Sequence, residues 1–203
     1  MSSLEFKRQL DIGRKTEGAI TRWLRSREHG VLTIYDIENK DGIGPRYFSK
    51  GSYVSPDLLC FAGNGETMWC EAKHKTVFSW HRKTKRWCTG IDIRHYEHYQ
   101  KIQDETGLDV WLLFLHVSDQ PDPRDVALGC PAKCPTGLFG RKLADLIGNE
   151  NHRHDNWGRS GMVYWAHDKL RPMATVDAVL NAQPLGNNVR VNGNHKSLVG
   201  AGA

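Results

Sequence analysis

The chain has 203 residues, of which 39% are hydrophobic and 25% are charged. This length suits one α/β domain with a real core and some extension, and the composition excludes a largely disordered chain. The net charge of +5 is compatible with a polyanionic partner but does not require one.

Three features bear on where the protein works. The longest apolar run, Val110 to Leu115, has the length of a strand, so no membrane span and no membrane partner are expected. The segment from Met1 to Phe6 has no signal-peptide pattern. Five Cys in such a chain indicate reduced thiols. We therefore expect a cytoplasmic protein of a bacterium or of a phage-infected host cell.

The first part of the chain is predicted to mix helices and strands, because apolar residues recur at helical spacing in some segments and in short strand-like runs in others. Gly30 and Gly107 are suitable helix ends, and Asp92 can cap the second helix. The predicted elements are a helix over 5–29, a strand over 31–37, a loop over 39–51, strands over 58–62 and 67–73, a hairpin over 76–91, a helix over 92–106 and a strand over 110–117.

The second part is predicted to be an extension of this core. Its elements are a Pro-rich loop over 118–135, a short helix over 136–147 capped by Thr136, an irregular segment over 149–160, a strand over 161–166 and a helix over 174–182. The whole predicts a mixed central sheet flanked by helices, in a single domain over 1–182 with its core at 5–117 and its extension at 118–182. Residues 183–203 are expected to form a flexible tail.

The predicted hairpin over 58–73 carries charged residues in an apolar setting. Glu71 and Lys73 share one strand face because side chains alternate along a strand. A two-residue turn would turn Asp57 away from Glu71, whereas a three-residue turn over 63–65 places Asp57 opposite Glu71. Gly and Asn can supply the left-handed conformation that such a turn needs. The sequence therefore predicts a turn of odd length, or an equivalent bulge.

Two carboxylates and a lysine on one face suit the hydrolysis of phosphodiester bonds. Asp57 and Glu71 offer hard oxygen ligands for Mg²⁺ or Mn²⁺. Such a metal activates water and stabilises charge on the phosphate, and the Lys73 ammonium can hold the attacking water. The alternative is a surface salt-bridge cluster on an edge hairpin.

Pro56-Asp57 and Glu71-Ala72-Lys73 resemble the motif of the PD-(D/E)xK nuclease superfamily, which includes restriction enzymes, archaeal-type Holliday junction resolvases and phage exonucleases. The resemblance covers residues 5–117. It implies a restriction-endonuclease-like core and a DNA nuclease that requires Mg²⁺ or Mn²⁺. Asp57, Glu71 and the Ala72 carbonyl oxygen would bind the metal, and Lys73 would orient or activate water.

The resemblance also points to one residue on each of the first two helices. Many members carry a metal-binding Glu on the first helix, and Glu17 lies there on the apolar stripe with Ile20. Arg14 lies on the same stripe and offers a rival, purely structural ion pair. Gln100 lies on the helix after the motif, where several members place a functional Gln.

Basic residues interleaved with aromatic ones fill the stretch after the motif, which has no acidic residue between Glu71 and Asp92. This pattern matches phosphate contacts combined with base stacking. The residues expected to contact DNA are Arg14, Lys75, Arg82, Lys83, Lys85, Arg86 and Gln100. The alternative is a solvated loop that a Trp80–Trp87 pair stabilises.

A second potential metal site lies in the extension. Cys130, Cys134, His152 and His154 could bind a structural zinc, although their spacing differs from that of a standard zinc finger. Two ordinary thiols in a Pro-rich loop are the alternative. His95 and His98 are expected to be polar surface or satisfied core residues.

The sequence thus predicts a metal-dependent DNA nuclease, with an endonuclease or a junction-resolving enzyme favoured over an exonuclease. A resolvase would be a homodimer with two sites facing across a junction. The alternative function is a nucleic-acid-binding module that does not cut, stabilised by zinc in one version.

Overall fold

A six-stranded mixed sheet forms the centre of the structure, a computed structural model that describes residues 3–33, 46–48, 51–155 and 160–183. The helices are α1 (Ser3–Arg25), α2 (Ile93–Thr106), α3 (Pro123–Val126), α4 (Leu143–Leu146) and α5 (Val176–Leu180). The strands are β1 (Gly30–Thr33), β2 (Arg46–Phe48), β3 (Ser52–Val54), β4 (Leu58–Phe61), β5 (Thr67–Lys75), β6 (Ser79–His81), β7 (Arg86–Asp92), β8 (Val110–His116), β9 (Gly137–Lys142), β10 (His152–His154), β11 (Met162–Ala166) and β12 (Arg171–Ala174).

The central sheet has the strand order β1-β4-β5-β8-β9-β12. Strands β5 and β8 run parallel, and the other neighbours run antiparallel. A second sheet has the order β10-β11-β7-β6, and β2 pairs with β3 alone. This arrangement is the predicted mixed sheet flanked by helices.

The two faces of the central sheet are buried against different partners. On one face, Ile20 and Leu24 of α1 pack with Cys70 and Ala72 of β5. On the other face, α2 and the second sheet pack over β5 and β8. Because side chains alternate along β5, this second face is also the face of Glu71 and Lys73.

The turn between β4 and β5 has the predicted odd length. Leu58 pairs with Cys70 and Phe61 with Thr67. Ala62 N donates to Glu66 O at 2.8 Å, which leaves Gly63-Asn64-Gly65 as the turn, and Gly65 has a φ of +88°. Extending the ladder by one pair places Asp57 opposite Glu71. The predicted register is therefore confirmed.

The second hairpin is also confirmed, with β6 and β7 as its strands. Trp80 and Trp87 pair across it with ring centroids 4.9 Å apart. The sheet that contains this hairpin is strongly curled. Thr84 Oγ1 at the hairpin tip donates to Asn151 Oδ1 at 3.2 Å, and Asn151 directly precedes β10, the strand at the opposite edge of the sheet.

The predicted helix over 136–147 is wrong for most of its length. Gly137–Lys142 forms strand β9, which pairs with residues 111–116 of β8, and only Leu143–Leu146 is helical. Strand β8 is buried along almost all of its length, so its backbone needs partners on both edges, and this long-range pairing overrides the local pattern.

The extension therefore completes the central sheet. Strand β12, which was not predicted, pairs with β9 at the sheet edge. The last helix is shorter than predicted and begins after Thr175, whose hydroxyl accepts a hydrogen bond from Ala178 N at 3.2 Å. Helix α2 ends at Gly107 as predicted, with a φ of +67°, but the Asp92 side chain makes no capping hydrogen bond.

Parts of some predicted elements lie outside the described residues. These are most of the loop over 39–51, the end of the strand over 31–37, residues 156–159 of the irregular segment over 149–160, and residues 184–203 of the predicted tail. Within the described ranges, no helix has the length and apolar character required to cross a membrane.

Replacing Gly90 with Ala is expected to destabilise the fold by about 2 kcal/mol, because a side chain there overpacks the second sheet. A Cβ on Gly90 would overlap the carbonyl oxygen of Val163 and would lie 2.9 Å from the Tyr164 ring. Denaturant unfolding measures the change. Gly63→Ala is the matched control, because a Cβ on Gly63 meets nothing within 4 Å. Its effect should stay within about 0.5 kcal/mol, and equal effects of the two changes would contradict the packing seen here.

Candidate active site

Three charged side chains meet where β4 begins beside the middle of β5. Glu71 and Lys73 project from β5 on the face covered by α2, and Lys73 Nζ forms an ion pair with Glu71 Oε1. Asp57 directly precedes β4, and its Oδ2 accepts a hydrogen bond from Ala72 N at 3.0 Å. The hairpin register therefore brings the three predicted residues together.

Glu71 is the most deeply buried of them, with a relative exposure of 1%. The Lys73 ammonium and the Tyr99 hydroxyl lie against it and influence its ionisation. Apart from these two groups, no described residue donates a hydrogen bond to the carboxylate oxygens. A buried carboxylate with unfilled acceptor sites is costly, unless a cation takes them.

The charged groups at this site shift one another's pKa values. Burial, and then repulsion by Glu71, raises the pKa of Asp57 well above its ordinary value, although Lys73 opposes this. Burial would also raise the pKa of Glu71, but the charges of Lys73 and His95 and the hydrogen bonds from Lys73 and Tyr99 together outweigh it, and the pKa is lowered. Burial would lower the pKa of Lys73, but Glu71 and Asp57 raise it on balance. Lys73 therefore stays protonated at neutral pH.

Helix α2 contributes two residues that the sequence reasoning did not assign to the site. Tyr99 is 1% exposed and stacks on His95, with ring centroids 5.7 Å apart. Burial, followed by the Glu71 charge, raises the pKa of Tyr99 well above its ordinary value, so the phenol keeps its proton. Burial lowers the pKa of His95, whose Nδ1 is buried without a hydrogen bond to a described residue.

The helical spacing of His95, Tyr99 and Ile102 was the available signal, because positions i, i+4 and i+7 share one helix face. The residue that was singled out on this helix, Gln100, interacts with the Tyr96 hydroxyl instead. That hydroxyl donates to Glu150 Oε1 at 2.5 Å. His98 is a satisfied structural residue as expected, since its Nδ1 accepts from Val54 N at 2.9 Å.

Glu17 lies on α1 beside the buried stripe, as predicted. It lines a cavity of about 340 Å³ together with Asp57, and Arg14 lies at the same cavity. Burial raises the pKa of Glu17, Lys73 lowers it and Glu71 raises it, while Arg14 has the smallest of these influences. Glu17 is thus electrostatically linked to the site residues more than to its rival partner Arg14.

The chemistry of the donor set fits a hard divalent cation. Asp57 and Glu71 supply carboxylate oxygens. The Glu71 oxygens have no described hydrogen-bond donors besides Lys73 and Tyr99. No group of three or more His, Cys, Asp or Glu is placed to hold a metal within the described parts of the chain. Two carboxylates would therefore need a backbone oxygen and water to complete a coordination shell, as Mg²⁺ commonly has in proteins.

The residues predicted to contact DNA fall into two groups. Two of the arginines have acidic partners: Arg82 Nη2 lies 2.9 Å from Asp125 Oδ1, and Arg86 Nη1 lies 3.3 Å from Asp168 Oδ2. By contrast, Lys83 and Lys85 in the exposed turn form no ion pair with a described residue. The aspartates that bind these arginines come from the extension, so they are distant from the hairpin in the sequence.

Lys75 lies two residues beyond Lys73 on the same face of β5. Burial, and then the charge of Lys73, lowers the pKa of Lys75 to about 8, while Asp92 opposes the shift. The ammonium is still mostly protonated at pH 7. It can therefore meet a phosphate next to the carboxylates.

The structure does not assemble the zinc site considered from the sequence. Cys130 Sγ donates to Pro131 O at 3.4 Å and Cys134 Sγ to Ser118 O at 3.3 Å. His152 stacks between His81 and Tyr164. With His154 these residues form no metal-ligand cluster in the described ranges, because separate loops and strands hold the thiols and the imidazoles.

Comparison with protein-family models and with curated proteins gave no match. Solved structures that are similar to the chain include Hjc and D212. Hjc, a Holliday junction resolvase of Archaeoglobus fulgidus, is 8% identical with a TM-score of 0.43, over 77% of this chain and 90% of Hjc. D212, a nuclease from a fusselovirus, is 10% identical with a TM-score of 0.39, over 91% of this chain and 94% of D212.

Replacing Asp57 with Asn is expected to stabilise the metal-free protein at pH 7 by about 1 kcal/mol. The pKa of Asp57 is raised by folding, so the ionised carboxylate costs free energy at every pH above that raised pKa. As the pH falls towards the ordinary pKa near 3.9, the folded carboxyl takes up a proton and the wild-type chain regains this stability. The advantage of Asn should therefore be smaller at pH 4 than at pH 7.

Denaturant unfolding in EDTA at the two pH values measures this difference. Asp109→Asn is the control, because Asp109 Oδ2 lies 2.5 Å from Lys142 Nζ in an ordinary ion pair. That change should not stabilise the protein. An Asp57→Asn gain as large at pH 4 as at pH 7 would show that the Asp57 carboxylate is not strained in the folded chain.

Proposed function

We propose that this chain is a metal-dependent deoxyribonuclease that hydrolyses phosphodiester bonds with Mg²⁺ or Mn²⁺. The observation that carries the proposal is the convergence of Asp57, Glu71 and Lys73 at the β4–β5 hairpin. Glu71 is buried there, and its oxygens have no described donors besides Lys73 and Tyr99. An arrangement that costs stability and has unfilled oxygen ligands is typical of a functional site.

Asp57 and Glu71 would hold the metal, and the Ala72 carbonyl oxygen would add a ligand, as the motif resemblance implies. A bound metal supplies a water of lowered pKa and stabilises negative charge on the phosphate. Glu17, across the shared cavity from Asp57, would bind a metal-ligated water or the metal itself.

Lys73 would act through its charge. Its pKa is raised above the ordinary value, so its ammonium does not accept a proton at neutral pH. It therefore orients the attacking water and stabilises the developing charge on the phosphate, rather than acting as a base. Tyr99 and His95 would fix the Glu71 carboxylate in place, since they pack against it from α2.

DNA would be held by the cations around this site, with Lys75 nearest and Arg14 at the mouth of the cavity. An endonuclease or a junction-resolving enzyme is favoured over an exonuclease. A homodimer would present two such sites to a branched junction.

Purified protein is expected to cut DNA in the presence of Mg²⁺ or Mn²⁺ and to stop in EDTA. Lys73→Ala should lower the cutting rate by about a hundredfold or more, because it removes the charge that faces the phosphate. The assay uses linear duplex, single-stranded, circular and four-way-junction DNA. Lys142→Ala is the matched control, since Lys142 is also an ion-paired lysine of the central sheet but lies away from Glu71.

Circular dichroism must show that both variants are folded. If no DNA substrate is cut in either metal, while the folded protein still binds DNA, the chain is a binding module and the nuclease proposal fails. Equal loss of cutting in Lys73→Ala and Lys142→Ala would remove Lys73 from the site.

Tyr99→Phe is expected to weaken metal binding by about tenfold, because the hydroxyl helps to orient the Glu71 carboxylate. Titration with Mn²⁺, followed by calorimetry and by the rise in melting temperature, measures this without any cutting. Glu71→Gln should show almost no metal-induced rise. The control on the same helix is Tyr96→Phe, whose hydroxyl binds Glu150 instead, and an equal loss in both tyrosine variants would contradict the role of Tyr99.

A further inference from the structure

Three rings form a column on the second sheet, away from the carboxylate site. His81 of β6 stacks on His152 of β10, with ring centroids 3.9 Å apart and ring planes 10° apart. His152 stacks on Tyr164 of β11 at 4.5 Å and 4°. The column exists because the sheet curls until the tip of the β6–β7 hairpin meets the start of β10.

Hydrogen bonds fix the planes of both histidines. His81 Nδ1 lies 2.7 Å from Thr84 Oγ1, and His152 Nδ1 lies 3.0 Å from Asn151 Oδ1. Burial lowers the pKa of both rings, that of His152 to about 4. The column is therefore uncharged at neutral pH and presents flat π surfaces rather than positive charge.

The column ends at a groove. His81 is its last ring, since no other described ring stacks on His81. Both His81 and its neighbour Trp80 line a groove of about 680 Å³, which β6 and the start of the hairpin turn form on one side and α3 on the other. A planar group entering the groove would continue the column on His81.

The charges at the groove favour an anion beside that planar group. Two of its carboxylates are already neutralised, Asp125 by Arg82 at 2.9 Å and Asp122 by Arg124 at 2.6 Å. Lys83 also lines the groove, forms no ion pair with a described residue, and lies close enough to His81 to lower its pKa. An aromatic ring joined to a phosphate fits both features.

We propose that this groove binds an unpaired nucleotide of a DNA strand, with its base stacked on His81 and its phosphate against Lys83. The groove is close to the proposed active site along the chain, because His81 follows Lys73 by eight residues, which span at most ~28 Å. At the B-form rise of about 3.4 Å per base pair, that is at most about eight base pairs. The inference rests on the proposed function for the choice of DNA. It makes the substrate class DNA with a single-stranded segment near the cut.

The test measures binding rather than cutting. Fluorescence anisotropy in EDTA compares a labelled single-stranded oligonucleotide with a duplex of the same sequence, using the full chain. His81→Ala should weaken single-strand binding roughly tenfold and leave duplex binding nearly unchanged, because stacking needs an exposed base. His81→Phe keeps a ring for stacking and should bind almost as the wild-type chain does.

Lys83→Ala should also weaken single-strand binding and reduce its dependence on salt. Lys101→Ala is the charge-matched control, because Lys101 is an exposed lysine of α2 that lies over Tyr53, outside the groove. Melting curves of each variant show whether the hairpin still folds.

An oligonucleotide with abasic sites separates stacking from charge. The wild-type chain should bind it about as weakly as His81→Ala binds the intact strand, and His81→Ala should not distinguish the two oligonucleotides. Equal losses on duplex and single strand, or no loss in His81→Ala, would overturn the groove proposal. The binding test is run without metal, so it can be interpreted even if the protein does not cut DNA. A negative binding result, in turn, does not affect the test of metal-dependent cutting.

Discussion

Asp57 shares one sheet face with the Glu71–Lys73 ion pair only because the turn between β4 and β5 holds three residues. That turn sets Asp57 opposite Glu71, and a shift of one residue would send one of the two to the α1 face. Once the register is set, Glu71 faces α2 with 1% exposure. The groups around Glu71 then compensate the charge of its buried carboxylate.

The compensation is only partial. Lys73 neutralises Glu71, and α2 supplies a tyrosine and a histidine where an ordinary core would have apolar side chains. Asp57 remains with a raised pKa, and the Glu71 oxygens have no described donors besides Lys73 and Tyr99. A fold selected for stability alone would not retain the Asp57 carboxylate, since its replacement by an amide is expected to be favourable. The strain is instead consistent with a cation that binds there.

Local chemistry explains which parts of this could be predicted from the sequence. The turn at 63–65, the hairpin with Trp80 and Trp87, and the end of α2 at Gly107 depend on nearby residues, and each was predicted. Strand β9 was missed, because it forms by pairing with β8, which ends more than twenty residues earlier in the chain. Tyr99 was missed because the inward face of α2 depends on how the helix packs against β5, although its helical spacing from His95 and Ile102 was visible.

The β6–β7 hairpin also shows that contacts with distant residues could not be predicted from the local sequence. In the sequence it carries a run of cations without acidic neighbours, but the chain returns Asp125 and Asp168 from 43 and 82 residues away to bind Arg82 and Arg86. These ion pairs hold the hairpin against the extension and leave Lys83 and Lys85 at its tip. The two arginines are therefore better placed to orient the hairpin than to bind a phosphate. Because both arginines have acidic partners, Lys83 and Lys85 are the cations of the hairpin turn that remain for a ligand.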